Sequence, residues 1–203
     1  MAQYCGKLVR DIMKTLTEVR MEIDRVDRTI RELFEERMAL ADEVVRIKAE
    51  TNDTIYKPER EAAIIEKHSG ETDPELRMEY QALIRRIMGL SRKHQYGRLL
   101  ELRRAGGMAA DAWINELLPA REQVGPCVKI AFACQNQCGA LAAVLTMIAD
   151  YGVNVTALSC CNHGDCDEDK AQFFAELEME LSDDRIQALL LQLSQETQDF
   201  RIM

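Results

Sequence analysis

The stretch VRMEIDRVDRTIRELFEERMALADEVVRIK, residues 19–48, decides the fold of the first half of this 203-residue chain. Its apolar residues recur every three or four positions, which is the spacing of one face of an α-helix. The stripe consists of Leu16, Val19, Ile23, Val26, Ile30, Leu33, Ala41 and Val44. Nothing breaks the pattern before Asn52 and Asp53, so we predict a helix of about 35–40 residues, roughly 55–60 Å long. A helix of this length needs a partner along its whole stripe, which indicates a dimer of interlocked helical chains.

Two further helices are predicted from their end signals. The second begins at Pro58 and ends near Gly70, because proline suits the first helical position and glycine the C-terminal end. The third has Asp73 as its N-cap and closes at Gly106. Residues 108–124 are predicted to form a short connecting helix.

The apolar period changes after Gly125 and Pro126. Strand-like and helical segments then alternate in the order βαββαβ, which is typical of a ferredoxin-like α+β sandwich. The predicted segments are a strand at 128–134, a helix at 139–152, a strand at 153–161, a strand at 171–181, a helix at 182–197 and a strand at 198–203. We therefore divide the chain into an all-α domain (1–105), a connector (106–125) and an α+β domain (126–203).

Composition limits the class of partner. The chain is 47% hydrophobic and 30% charged, with a formal net charge of −9, which argues against nucleic acid and anionic membranes as partners. No apolar run approaches the roughly 20 residues of a membrane span, and the first residues lack the apolar core of a signal peptide. Seven cysteines, an odd number, fit a reducing compartment. We expect a cytoplasmic protein.

Polar residues that interrupt the apolar stripes are the candidate site residues. Arg37 and Lys48 interrupt the first helix 11 residues apart, at nearly the same angular position and about 16 Å apart. Ser91 and Gln95 fall on the inner face of the third helix at i, i+4 spacing. Inward cations need anionic partners, so these residues indicate either a structural ion-pair network or a pocket for a small dianion.

Residues Arg60 and Glu61 open the second helix, which must fold back over the first, and they belong to the same candidate set. Arg20 adds a geometric constraint. It lies 17 residues before Arg37, about 25 Å along the helix, so one chain cannot bring both to one small ligand. Arg20 either acts from the second subunit of an antiparallel dimer or is an exposed arginine that pairs with Asp24 or Asp27.

Three segments in order, residues 19–48, YKPEREAAII (56–65) and RRIMGLSRKHQ (85–95), resemble the all-helical chorismate mutase family. The resemblance covers about residues 15–100 with the family's spacings. It implies an intertwined homodimer of three-helix chains that rearranges chorismate to prephenate, in aromatic amino-acid biosynthesis, without any cofactor.

The resemblance also implies roles for the polar residues. Arg37 and the hydroxyl of Ser91 would bind substrate carboxylate, and Arg20 would bind carboxylate from the partner subunit. Lys48 and Gln95 would contact the ether oxygen of the breaking bond from its two sides.

Glu61, with Arg60 beside it, would hold the ring hydroxyl. The chain departs from the family pattern at Lys57, where the family commonly has an aspartate that helps to cap the helix and to bind that hydroxyl. A lysine cannot accept this hydrogen bond. We expect Lys57 either to pair with Glu61 at i, i+4 or to point into solvent, and activity to be reduced rather than lost.

The segment VKIAFACQNQCGALAAVLTMIADYGVNVTALSCC, residues 128–161, resembles an ACT domain, a small regulatory module that binds amino acids. The resemblance places an amino-acid effector at an interface between two ACT domains; the alternative is a module that only dimerises. The implied effector-binding residues are Asn136, Gly139, Ala140, Leu141, Asn154, Val155 and Thr156.

Two features limit what this second resemblance implies. Residues 158–161 read LSCC where phenylalanine-sensing relatives have Glu-Ser-Arg-Pro, which argues against phenylalanine as effector. The ~20–25 residues between the two domains are too few for a prephenate dehydratase domain, so we expect no phenylpyruvate from this chain.

Other interpretations stay open beside the mutase. One is a weakly active or inactive mutase-like regulator that senses aromatic-pathway metabolites. Another is a lyase of the same fold that acts on isochorismate, but Ser91 and Glu61 favour the mutase over this lyase. A metal site is not expected, because the cysteine spacing matches no standard zinc pattern. The residues that such a site would use are Cys134, Cys138, Cys160, Cys161, His163 and Cys166.

Overall fold

The computed structural model describes residues 14–107, 126–161 and 169–203. Its first helix, α1, spans Leu16–Thr51 with 36 residues, which confirms the predicted length. The start of α1 is fixed by a reciprocal pair: the Thr15 backbone N–H donates to the Glu18 carboxylate at 2.7 Å, and the Glu18 N–H donates to the Thr15 hydroxyl at 3.3 Å. Such a capping box satisfies two helix-end donors. The end of α1 is marked by Asn52, whose φ of 52° leaves the helical region.

Helices α2 (Pro58–Glu71) and α3 (Arg77–Ala105) follow as predicted. A short 3₁₀ turn, Pro74–Leu76, precedes α3. Its N-cap is Asp73, whose Oδ1 accepts the N–H of Glu75 at 2.9 Å. The proposed start signal of the third helix is therefore confirmed, with a tighter first turn than expected.

The C-terminal part contains β1 (Val128–Gln135), α4 (Ala140–Asp150), β2 (Asn154–Cys161), β3 (Lys170–Glu178), α5 (Asp184–Glu196) and β4 (Gln198–Ile202). The predicted order of elements is confirmed. The four strands form one antiparallel sheet in the order β2-β3-β1-β4. The predicted connecting helix at 108–124 lies outside the described residues.

The chain divides into two compact units, residues 1–40 and 41–203. In the first unit, the apolar stripe of α1 is open to solvent: its side chains are 39–64% exposed. The exposed members are Leu16, Val19, Ile23, Val26, Ile30 and Leu33. Apolar residues repeated along one helix face are unfavourable in water, so this segment of α1 carries an uncovered hydrophobic stripe.

The second unit is organised around α5. Eight consecutive residues of this helix, 186–193, are buried, because α5 contacts α3, α4 and β4. One hydrophobic core therefore continues from the sheet residues Ile130 and Phe132 through Leu190 of α5 to Tyr96 and Leu100 of α3. Burial of each such side chain contributes about 1.5–3 kcal/mol.

Polar contacts join α3 to the C-terminal elements along its length. The Arg86 guanidinium pairs with both oxygens of Asp150, at 2.5 and 2.6 Å, and Arg104 pairs with Asp184 at 2.6 Å. Lys93 donates to the backbone carbonyl of Asp150. The unit 41–203 thus contains residues from both sides of the predicted 106–125 connector, and they pack directly on one another.

Candidate functional site

Lys48 lies in a charged and partly buried environment near the end of α1. Its Nζ donates to the carbonyl of Ile55 at 2.8 Å. Burial lowers the pKa of Lys48 below that of an exposed lysine; Lys57 and Arg60 lower it further, while Asp53 and Glu61 oppose them. Charged groups on and just before α2 therefore act electrostatically on the Lys48 ammonium of α1.

Ser91 and Gln95 are buried on α3, with 5% and 8% of their surface exposed. The Gln95 Nε2 donates to the Ser91 carbonyl and to the Ser91 hydroxyl, each at 3.3 Å. Burial of both agrees with their predicted position on the inner face of the helix. Their side chains supply neutral hydrogen-bonding groups away from water, where such groups act most strongly.

Glu61 pairs with an arginine that the sequence did not single out. The Nη1 of Arg92 lies 2.6 and 2.5 Å from the two carboxylate oxygens of Glu61. The Nε of the same guanidinium donates to Glu196 at the end of α5, at 2.8 Å. The guanidinium also stands over the Tyr56 ring, 5.0 Å from its centroid.

Burial and the neighbouring charges have opposite effects on the pKa values of Arg92 and Glu196. Burial works to lower the pKa of Arg92, but the carboxylates of Glu196 and Glu61 raise it above its ordinary value. Burial raises the pKa of Glu196, and the Arg92 charge only partly offsets it. The arginine therefore stays charged, and its charge favours the ionised form of Glu196.

Arg92 has a signal in the sequence, whereas Glu196 has none. Arg92 is next to Ser91 and three residues before Gln95 on α3, so it lies at the edge of the predicted inner face. Its partner Glu196 is 104 residues further along the chain. Helical periodicity describes neighbours on one helix and cannot identify a contact at that separation.

Lys57 does not pair with Glu61. Its Nζ lies 2.5 Å from Asp53 instead, with 41% of the side chain exposed, so the proposed Lys57–Glu61 pair is wrong. Lys57 occupies the N-cap of α2 without a side-chain capping hydrogen bond. The Asp53 carboxylate offsets the lysine charge beside the positive end of the helix dipole.

The remaining arginines of the predicted site are distributed over both units. Arg20 and Arg37 lie on α1 in the unit 1–40, Arg20 exposed and Arg37 half-buried. Arg60 is exposed on α2 in the other unit. Their contribution to one site stays a prediction.

The predicted effector residues form two groups. Asn136, Gly139, Ala140 and Leu141 lie around the start of α4, where Gly139 adopts the left-handed φ of 83°. The group 154–156 begins β2, after α4 ends. Because α4 has 11 residues, about 16 Å separates the two groups along it, so one chain does not present both to a single amino acid.

The cysteines show no metal centre within the described part of the chain, where no group of three or more His, Cys, Asp or Glu side chains could hold an ion. Cys127, Cys134 and Cys138 are free thiols. The predicted alternative also used residues 163 and 166, which lie outside the described ranges. Among the helices that the structure describes, none has both the length and the apolarity to cross a bilayer.

Comparison with known proteins adds a family match. Residues 19–96 match the family model described as Chorismate mutase type II. A curated relative from Aquifex aeolicus (strain VF5), "Bifunctional chorismate mutase/prephenate dehydratase", is 47% identical over 55 residues, which cover 27% of this chain and 15% of the relative. The helical resemblance is thereby confirmed as a chorismate mutase type II domain, in a chain that matches a small part of that relative's length.

A solved structure titled "GqqA- a novel type of quorum quenching acylases" is 27% identical, with a TM-score of 0.37. The match covers 42% of this chain and 45% of that one. At this TM-score the likeness carries no inference about fold or function.

The Arg92 cluster yields a stability prediction. Arg92→Met removes the cation between two carboxylates and leaves Glu196 buried and unpaired, so the free energy of unfolding should fall by about 2–4 kcal/mol, somewhat less than for a fully buried pair. Urea unfolding followed by circular dichroism measures the loss. The control is Arg86→Met, whose more exposed pair with Asp150 should cost about 1 kcal/mol or less. Equal losses in the two variants would contradict the prediction.

Proposed function

We propose that this protein is a chorismate mutase, which converts chorismate to prephenate by an intramolecular Claisen rearrangement. The match of residues 19–96 to the mutase family carries the proposal. The geometry supports it: Lys48 lies in a partly buried site near Glu61, and Ser91 and Gln95 are buried on the adjoining helix. We place this activity in the cytoplasm, as part of aromatic amino-acid biosynthesis.

The reaction explains why these residue types suffice. A [3,3] rearrangement needs no nucleophile and no proton transfer, so the protein has to hold a flexible dianion in its compact chair-like conformer. Arg37 and Ser91, with Arg20 from the other subunit, bind the carboxylates in this proposal. Glu61 and its neighbour Arg60 hold the ring hydroxyl.

The transition state places negative charge on the ether oxygen as the C–O bond breaks. Lys48 and Gln95 stabilise that charge as fixed donors in a site with little water, where electrostatic stabilisation is largest. Only the protonated form of Lys48 is competent. Since burial lowers its pKa, the active form is lost as pH rises, and earlier than for an exposed lysine.

The proposed active form is a homodimer. The six apolar side chains of the stripe on the 1–40 segment of α1 are exposed, and a second copy of the same helix, running antiparallel, would cover them. Each of these side chains contributes up to about 1.5–3 kcal/mol on full burial. The antiparallel arrangement also brings Arg20 into the partner's site.

The C-terminal part is proposed to be an ACT domain of ferredoxin-like fold. Its support is the element order βαββαβ and the antiparallel strand order β2-β3-β1-β4. An amino-acid effector would lie between the start of α4 in one copy and the start of β2 in another. This placement follows from the separation of the two groups of residues along α4.

A weakly active regulator is the second candidate. The observation that favours it is the Lys57–Asp53 pair, which occupies the place of an acid that would bind the ring hydroxyl. Glu61 remains as the acceptor for that hydroxyl, and we therefore rank the enzyme first.

Replacement of Lys48 tests the activity. The unsubstituted protein should consume chorismate and release prephenate without added cofactor, and Lys48→Met should lower kcat by about 100-fold or more, as expected for loss of an oxyanion-type donor. Loss of chorismate absorbance gives the rate, and chromatography identifies the product. Lys67→Met, which removes an exposed lysine of α2, is the control. Absence of prephenate from the unsubstituted protein would refute the function.

Subunit mixing tests whether Arg20 acts in trans. Arg20→Ala and Lys48→Met should each inactivate a homodimer, but a mixed dimer of the two, purified through different tags, should regain one intact site of two and about half the activity. If Arg20 acts within its own chain, the mixed dimer has no intact site and stays inactive.

Two substitutions at Lys57 distinguish the effect of losing the lysine charge from the effect of gaining a hydrogen-bond acceptor for the ring hydroxyl. Lys57→Asp should raise kcat/KM by about 10–100-fold, equivalent to one additional hydrogen bond to a charged group. Lys57→Ala removes the pair with Asp53 without supplying an acceptor and should give little gain. A lower kcat/KM in Lys57→Asp, or an equal increase in both variants, would show that the missing acceptor at this position does not limit the reaction.

A further inference from the structure

We propose that Arg92 and Glu196 are positioning residues for Glu61, so that the end of α5 is a structural part of the mutase site. The inference rests on the proposed function and adds to it a contribution from the C-terminal half. Neither residue would touch the substrate. Each would act by holding the carboxylate that binds the ring hydroxyl.

The orientation of Arg92 is set by contacts on several sides. Nη1 faces Glu61 at 2.5–2.6 Å and Nε faces Glu196 at 2.8 Å, while the centroid of the Tyr56 ring lies 5.0 Å from the guanidinium carbon. A planar guanidinium fixed through two edges and one face has little rotational freedom. Glu61, paired with it through both oxygens, is held in one orientation.

The anchor of this arrangement lies in the C-terminal core. The Glu196 side chain is 3% exposed, against 25% for Glu61. Glu196 also accepts from the Gln192 Nε2 at 3.0 Å, and the Gln192 Oε1 accepts from the Tyr151 hydroxyl at 2.8 Å. A chain of buried and partly buried hydrogen bonds therefore runs from the junction of α4 and β2, through Glu196 and Arg92, to the Glu61 carboxylate that would meet the substrate.

A second ion pair in the same interface provides a comparison for a purely structural role of the Arg92–Glu196 pair. Arg104 and Asp184 join the same two helices, α3 and α5, at 2.6 Å. Asp184 opens α5, whereas Glu196 is its last residue. An effect on catalysis that follows Glu196 and not Asp184 would distinguish positioning from simple attachment of α5 to α3.

The experiment is a mutant cycle on the full chain. Glu196→Gln keeps the size of the side chain and removes its charge; it is measured alone, with Glu61→Gln, and beside the control Asp184→Asn. We expect Glu196→Gln to lower kcat about 5–20-fold with KM changed less than about 2-fold, and to have little further effect in the Glu61→Gln background, because both changes disable one unit. Asp184→Asn should leave both parameters near those of the unsubstituted enzyme. All rates are taken well below the lowest unfolding midpoint.

Each other outcome has a defined meaning. If Glu196→Gln costs the same factor with and without Glu61, its effect does not pass through that carboxylate and the inference is overturned. The inference is also overturned if Glu196→Gln changes kcat as little as Asp184→Asn does while the unsubstituted protein is active. The proposed function then stands. If the unsubstituted protein forms no prephenate, the proposed function fails and the inference with it. Should Glu196→Gln not fold, Arg92→Lys replaces it in the same cycle, because it keeps the charge and loses the two-edged geometry.

Discussion

Burial of α5 on all sides is the constraint on which the second unit depends. A helix with eight consecutive buried residues needs apolar neighbours around its whole circumference, and no single sheet provides them. The α3 helix supplies the missing side through Tyr96 and Leu100. Because α3 also carries Ser91 and Gln95, the packing that completes the C-terminal core also places one wall of the candidate site.

Local pattern was sufficient for the elements. Periods of 3.6 and 2 residues, with proline and glycine at the ends, predicted α1, α2, α3 and the βαββαβ order, because each depends on residues a few positions apart. The packing of α3 on α5 was not predictable in this way. The apolar run ALLLQL at 188–193 indicates burial on more than one side but does not identify the neighbouring helix.

The residues of the candidate site likewise differ in whether local sequence patterns predict them. The sequence predicts Lys48, Ser91 and Gln95 as site residues because each puts a polar group where a stripe should be apolar, and Glu61 because it opens the helix that folds back over the first. Arg92 is not predicted because its buried partner Glu196 lies at a long sequence separation. Of the two alternatives predicted for Lys57, the pair with Glu61 is not formed, and the side chain is partly exposed beside Asp53. The observed partner Asp53 lies four residues before Lys57, the same distance as Glu61 after it, so spacing alone does not distinguish the two acids.

The buried carboxylate of Glu196 has a consequence for how such a chain can evolve. An ionised acid with 3% of its side chain exposed is costly unless it lies opposite a cation, and here the cation belongs to the helical part of the chain. Transfer of the C-terminal part by recombination to another helical domain would therefore cost stability unless that domain carried a cation at the position of Arg92. The helical part and the C-terminal part resemble separate domains in sequence, but this ion pair favours their inheritance together.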